Sequence, residues 1–191
     1  MMKFKSFILF IIISLFVPTF VFAKFLRVND IVNRSYYLPV LGKTVAFNNG
    51  FYRGTYIEKF ENGSTLTVSQ SAWINSFLVV EFPNLPNYNV AIVSMYEHCC
   101  GNGAYATVRA LVSNYLNYDS GPVYLTNTID LGNDTTVDGI FQFKNNTYMF
   151  VRVLGKNDPM CCPSKTELFE LDVYKSNNKF YLIARQVNRF K

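Results

Sequence analysis

The hydrophobic pattern of the chain changes character at Ala23. Up to that point it is almost continuously apolar; beyond it, hydrophobic residues come in short runs, most of them alternating with polar ones. Alternation at period two marks a strand with two different faces, whereas a recurrence near 3.6 marks a helix. STLTVSQ, residues 64–70, alternates through Leu66 and Val68. FLVVEF, residues 77–82, is stopped by Pro83, and VAIVSMY, residues 90–96, is apolar enough for an inner strand. In VAFNNGFYRG, residues 45–54, Asn49-Gly50 supplies a positive-φ turn. A hairpin is expected there, with Val45 and Phe47 on one arm and Phe51 and Tyr52 on the other.

The second half is more regular. PVYLTNTIDL (residues 122–131), TVDGIFQF (136–143), TYMFVRVL (147–154), TELFELDVY (166–174) and KFYLIARQV (179–187) are strand-length pieces with turns such as Asn145-Asn146 between them. Links this short make successive strands antiparallel neighbours. Tyr148, Phe150, Phe169, Leu171, Tyr181 and Ile183 are expected among the strand residues. AYATVRALVSNYLN, residues 104–117, fits both periods; strand is favoured because the meander after it needs a partner. The fold expected is mainly β, an antiparallel meander sheet of roughly five strands with an irregular N-terminal part. The alternative is α+β, if residues 104–117 form one helix.

The apolar start decides where such a domain works. MMKFKS carries Lys3 and Lys5 and no acid, FILFIIISLFV follows, and Val21 and Ala23 are small or branched. Signal peptidase reads that order of features. The apolar run is short for a membrane span of about twenty residues, so cleavage after Ala23 is expected and a retained anchor is the alternative. Residues 1–23 are then a signal peptide and residues 24–191 a single extracytoplasmic domain, secreted or periplasmic. Only an uncleaved signal segment would tie it to a membrane. The chain holds 18 Lys and Arg against 13 Asp and Glu, and the cations are scattered. With no basic stripe among its aromatics, nucleic acid is not an expected partner.

Two stretches hold every cysteine: MYEHCCGNG, residues 95–103, and GKNDPMCCPS, residues 155–164. The second, through Gly155, Asp158, Pro159, Met160, Cys161, Cys162 and Pro163, resembles a motif of small secreted or periplasmic bacterial proteins, many of them cyanobacterial, which carry a GPxDPMCCPT-like segment. The likeness extends from residues 36–54 through AIVSMY and GNGAYATVRALV to LGNDTTVDGIF. It implies an exported domain with an opening strand and turn, a central strand and a Gly-rich turn, and it brings no activity with it. Lys156 and Asn157 depart from the motif, and His98-Cys99-Cys100 stands where relatives carry Gly-rich turn residues.

In an exported chain four cysteines read as two structural disulfides. Bonding within each doublet would force a ring through one planar trans peptide. Two cross-linked pairings remain open: Cys99–Cys161 with Cys100–Cys162, or Cys99–Cys162 with Cys100–Cys161. The rival reading is a metal or thiol-redox site built from His98, Cys99, Cys100, Cys161 and Cys162. Against it, paired zinc ligands favour Cys-x2-Cys, and the redox Cys-x-x-Cys spacing is absent. Asp130, Asp134 and Asp138 in LGNDTTVDG are spaced too widely for a calcium loop, and a solvated hairpin is the better reading. No nucleophile elbow, zincin pair or phosphate loop is present, so no catalytic residue and no cofactor is assigned. The function expected is a non-enzymatic envelope domain that binds a protein or polymer. Tyr36, Tyr37, Tyr52, Tyr115 and Tyr118 are candidates for its ligand surface. On an extended segment Tyr36 and Tyr37 must point to opposite faces.

Overall fold

The computed structural model describes residues 26–99, 104–114, 122–159 and 162–190. They form one helical turn, α1 (Val28–Val32), and twelve strands. β1 (Ser35–Leu38) and β2 (Lys43–Ala46) make a separate hairpin. β3 (Phe51–Lys59), β4 (Thr65–Val80), β5 (Tyr88–Cys99), β6 (Tyr105–Asn114) and β7 (Val123–Leu125) lie side by side in that order, and β8 (Ile129–Asn133) also pairs with β6. The second sheet runs β12-β11-β10-β9, from β9 (Thr136–Phe143), β10 (Asn146–Val153), β11 (Lys165–Ser176) and β12 (Lys179–Val187). Every ladder is antiparallel. The fold is mainly β, as the alternation requires.

The six-stranded sheet is the middle of three layers. On one face Val90 and Ile92 of β5 and Val108, Ala110 and Val112 of β6 pack against Val137, Met149, Val151, Leu171, Val173, Phe180 and Leu182 of the four-stranded sheet. On the other, Ala91, Val93 and Met95 of β5 and Leu111 of β6 are covered by Ile31 of α1 and by Tyr36, Leu38, Val45 and Phe47 of the β1–β2 hairpin. Cover on both faces is why residues 90–97 read as nearly unbroken apolar sequence and are all buried. Each fully buried aliphatic side chain here contributes about 1.5–3 kcal/mol.

Residues 104–114 resolve the ambiguous segment in favour of strand: β6 is flanked by β5 on one side and by β7 and β8 on the other. Four expectations are corrected. Asn49 (φ 50°) and Gly50 (φ 79°) do make the tight turn, closed by an Asn48–Phe51 bridge, but its arms diverge, β2 to β1 and β3 to β4. The strands expected at residues 64–70 and 77–82 are the two ends of one strand, β4 (Thr65–Val80), whose register slips between Ile74 and Ser76. The meander has four strands, because residues 122–131 split into β7 and β8 and both return to β6. LGNDTTVDG is accordingly a corner between two sheets and not a hairpin, with Gly132 and Asp134 in the left-handed region. Alternation finds strands but does not choose their neighbours. Turn residues leave the same freedom: the β9–β10 turn uses Lys144 and Asn145, one residue before the Asn pair expected.

The outer face of the four-stranded sheet is aromatic. Phe141, Tyr148 and Phe150 cluster there, and Phe190 folds back over them with ring centroids 5.7, 5.2 and 6.3 Å away. Tyr148 is fully buried as a result.

Candidate functional site

The ligand-surface tyrosines fall in different places. Tyr36 and Tyr37 point to opposite faces as strand geometry demands: Tyr37 is 48% exposed, while Tyr36 is fully buried. Tyr36 is therefore not a surface residue. Its hydroxyl donates to the Ile31 carbonyl at 2.6 Å and its ring meets Phe47 edge-on at 5.1 Å. Burial pushes that hydroxyl up to about 12, against a smaller opposing pull from Arg34 and Arg109. Tyr52 is half-buried and folds over Gly54, where a Cβ would collide with its hydroxyl. Tyr115 and Tyr118 lie outside the described residues, as do Cys100 and Cys161.

Cys99 closes β5, its backbone opposite Gln70 on β4. Cys162 is exposed in the β10–β11 connection, and its amide donates to the Pro159 carbonyl at 2.9 Å. These two places share one end of the molecule. β9 lies over β4 and β5 through Asn75 Nδ2 to the Val137 carbonyl (2.9 Å), Val137 N to the Tyr96 hydroxyl (2.9 Å) and Gln142 Nε2 to the Glu81 carbonyl (3.2 Å). β5 therefore passes Tyr96 in the direction in which β10, beyond Val151, enters the connection that holds Cys162. Asp158 organises that connection. Its carboxylate accepts from the amides of Gly155 (2.6 Å) and Ser164 (2.7 Å) and from the Ser164 hydroxyl, and these bonds, Ser164's hydroxyl first, hold its carboxyl below the ordinary range. A Cβ at Gly155 would press to 3.1 Å from the same carboxylate. Gly155, Asp158 and Ser164 of GKNDPMCCPS thus have a local structural reason. Among the described residues no group of three or more His, Cys, Asp or Glu is placed to hold a metal.

At the end of β5, successive residues go to opposite faces. Glu97 turns toward the β1–β2 hairpin and is fully buried. Its Oε2 accepts from Val40 N at 3.0 Å, in the turn between β1 and β2. Burial raises its carboxyl to about 7, opposed by hydrogen bonds from the Val40 and Leu41 amides and by the Arg109 charge. Arg109, on β6 and on the same face, donates through Nη2 to the Tyr37 carbonyl at 2.9 Å and to Thr128 Oγ1. The acid holds the turn itself and the base holds the strand that leads into it. This is a weld between layers, and its signal in the sequence is a single charge inside each apolar run, SMYEH and ATVRALV.

Tyr96 and His98 face the other way. Phe51, Trp73 and Tyr96 stand opposite one another on β3, β4 and β5. Phe51 and Trp73 are stacked at 6.5 Å, Trp73 and Tyr96 tilted at 5.4 Å. The row runs from the interior to the sheet margin: Tyr96 is buried and pinned by Val137, Trp73 is half-buried, and Phe51 is 38% exposed. One step along the strands a second row holds Arg53, Ser71 and His98, and beyond it Thr55 stands opposite Ser69. A hollow of about 470 Å³ lies along Arg53, Gly54, Thr55, Ser69, Gln70 and Ser71. Beside the rows Arg152 Nε binds both oxygens of Asp138 at 2.8 Å, so the nearby acid is already paired. Sequence reading reached His98 here and missed Phe51, Arg53, Ser71 and Trp73. Only strand register brings these residues together.

A larger cleft of about 670 Å³ opens beside the β4–β5 turn, walled by Phe82, Pro83, Leu85 and Pro86 and by Gln142 and Lys144. Its charged groups, Glu81 and Lys144, form no converging set comparable with the two rows. Comparison with protein-family models, curated protein sequences and solved structures gave no match.

Proposed function

We propose that this chain is a non-catalytic binding domain of the cell envelope, exported by residues 1–23 and stapled by its two cysteine doublets. It holds its ligand on the open margin of β3, β4 and β5. The observation that carries this reading is the in-register ring row Phe51–Trp73–Tyr96, anchored inside and open outside, beside a polar row that runs from half-buried His98 and Ser71 to exposed Arg53. Rings presented with adjacent hydrogen-bonding groups are the usual furniture of recognition surfaces. The likeness of GKNDPMCCPS to the exported bacterial family supports the compartment.

Trp73 is the only tryptophan of the chain, so its fluorescence reports on this margin alone. Envelope polymers and whole-envelope fragments should change that emission saturably and sediment the protein, and Trp73→Ala should abolish sedimentation while circular dichroism stays unchanged. A folded Trp73→Ala variant that sediments as the parent does would move the site elsewhere.

The shared end of Cys99 and the Cys162 connection favours a staple between the doublets. Replacing all four cysteines with serine should then lower stability by about 2–5 kcal/mol in denaturant unfolding, most of it from the first link. Non-reducing peptide maps of exported protein should show cross-linked doublets, and four free thiols would end this part of the proposal. The second reading is a metal or thiol-redox centre, since His98 adjoins Cys99 in the chain. Stoichiometric zinc or copper in the purified protein, or thiols that cycle reversibly, would select that second reading.

A further inference from the structure

We propose that the ligand of the β3–β4–β5 margin is an acidic polysaccharide, with Arg53 as its anion contact. The inference rests on the binding-domain reading and adds the chemistry of the ligand. The hollow beside the ring row is lined on its open face by one guanidinium and three hydroxyls, those of Arg53, Thr55, Ser69 and Ser71. No carboxylate lines it. The nearby Asp138 is paired with Arg152.

Arg53 is also held in a useful way. Its guanidinium lies 5.1 Å from the centre of the Phe51 ring. Guanidinium donors lie in the plane of the group, so stacking on a ring restrains the side chain and leaves its forked N–H groups for a carboxylate or sulfate. Among the described residues it is in no ion pair. The hydroxyls of Thr55, Ser69 and Ser71 both donate and accept, which suits a ligand that carries many hydroxyls.

The shape of the site argues for a polymer. The hollow is a shallow trough on a flat sheet, and a small anion would stay mostly hydrated there. Affinity must come from contacts repeated along an extended chain. The charge count argues for sugar over nucleic acid: the Arg53 guanidinium and Lys43, whose Nζ is 2.7 Å from Gln70 Oε1 of the lining, are few cations for a phosphate backbone, whose binding is dominated by neutralising several charges.

The test is titration of Trp73 fluorescence in the full exported protein with polygalacturonate, with neutral dextran and with single-stranded oligothymidylate. Polygalacturonate should bind saturably, weaken with added salt, and lose about tenfold in affinity for Arg53→Gln, the scale of one charge-assisted hydrogen bond. Ser69→Ala with Ser71→Ala should weaken it about threefold, about half of that bond on the logarithmic scale. Arg53→Lys should recover part of the loss, since it restores charge without the fork. Equal binding of dextran, or an Arg53→Gln variant that binds as the parent does, overturns the acidic assignment and leaves the binding domain standing. Tighter binding of oligothymidylate overturns it in favour of nucleic acid. If none of the three ligands moves Trp73 while envelope fragments still sediment the protein, the acidic-sugar inference falls alone; if sedimentation fails too, both fall.

Discussion

Glu97 and His98 are neighbours in the chain and meet opposite circumstances. Glu97 points into the interface with the β1–β2 hairpin, is fully buried, and binds the backbone amide of Val40. His98 points to the margin, half-exposed, in a row with Ser71 and Arg53. The same contrast separates Arg109 from Arg53. Arg109 is buried and gives its Nη2 donors to Tyr37 and Thr128, while Arg53 is exposed and rests on a phenyl ring. Buried charges here are committed to holding two layers together, because an unpaired charge in the interior is too costly to keep. Charges at the margin cost little to leave without a protein partner, and so remain available to a ligand. Two faces of one sheet thus separate charges that hold layers together from charges left open to solvent.

That division predicts a ranking of effects. Arg109→Ala should be the most damaging, lowering stability by about 3 kcal/mol in urea unfolding, since it strands the Tyr37 carbonyl and removes the charge facing Glu97. A loss below about 1 kcal/mol would mean the weld is not holding the hairpin.

The next effect is pH-dependent and belongs to Glu97. Its folded-state value, about 7, stands above the ordinary 4.5 because of burial. Below pH 4.5 the group is protonated in both the folded and unfolded chain and carries no penalty. As pH rises toward 7 the unfolded chain releases its proton first, and the folded chain must then bury a charge. Stability contributed at this site therefore falls between about pH 4.5 and 7, by about 2 kcal/mol after allowance for screening. Unfolding midpoints measured across that range should show the slope, and Glu97→Gln should flatten it. An identical slope in the variant would assign the effect to another group.

Smaller again is Phe190→Ala. Removing the ring that covers Tyr148 and Phe141 should cost about 1 kcal/mol in thermal or chemical unfolding, the scale of one aromatic contact with its burial. The smallest stability effect is expected from Arg53→Gln, within about 0.5 kcal/mol of the parent. Its large effect should be on binding, which is what separates a margin residue from a weld residue. A destabilised Arg53→Gln protein would erase the contrast between the two faces.

How much of this was legible in the chain differs from element to element. Period-two alternation was enough to place β9 through β12, because each runs between recognisable turns and buries one face. Residues 90–96 announced an inner strand by being apolar at almost every position. The margin was not legible in the same way. Phe51 and Tyr96 are far apart in sequence, and nothing local marks them as partners. Hydrophobic patterning specifies which residues face inward, but many pairings satisfy the same pattern, so neighbours are chosen by the packing of the whole. The Tyr36-Tyr37 doublet shows the border between the two kinds of information. Strand geometry alone required one ring in and one ring out. Which ring went in was settled only when β1 laid Tyr36 between Phe47 and Arg109.

By itself, then, the sequence determined a β domain, the positions of most strands and turns, and a central strand that had to be enclosed. Tertiary structure decided that residues 122–131 return to β6, that LGNDTTVDG turns a corner between sheets, and that Arg53, Ser71 and His98 share a row. The reason is physical. Alternation and turn chemistry act over a few residues, whereas strand order and sheet contact are fixed by burial summed over residues distant in the chain.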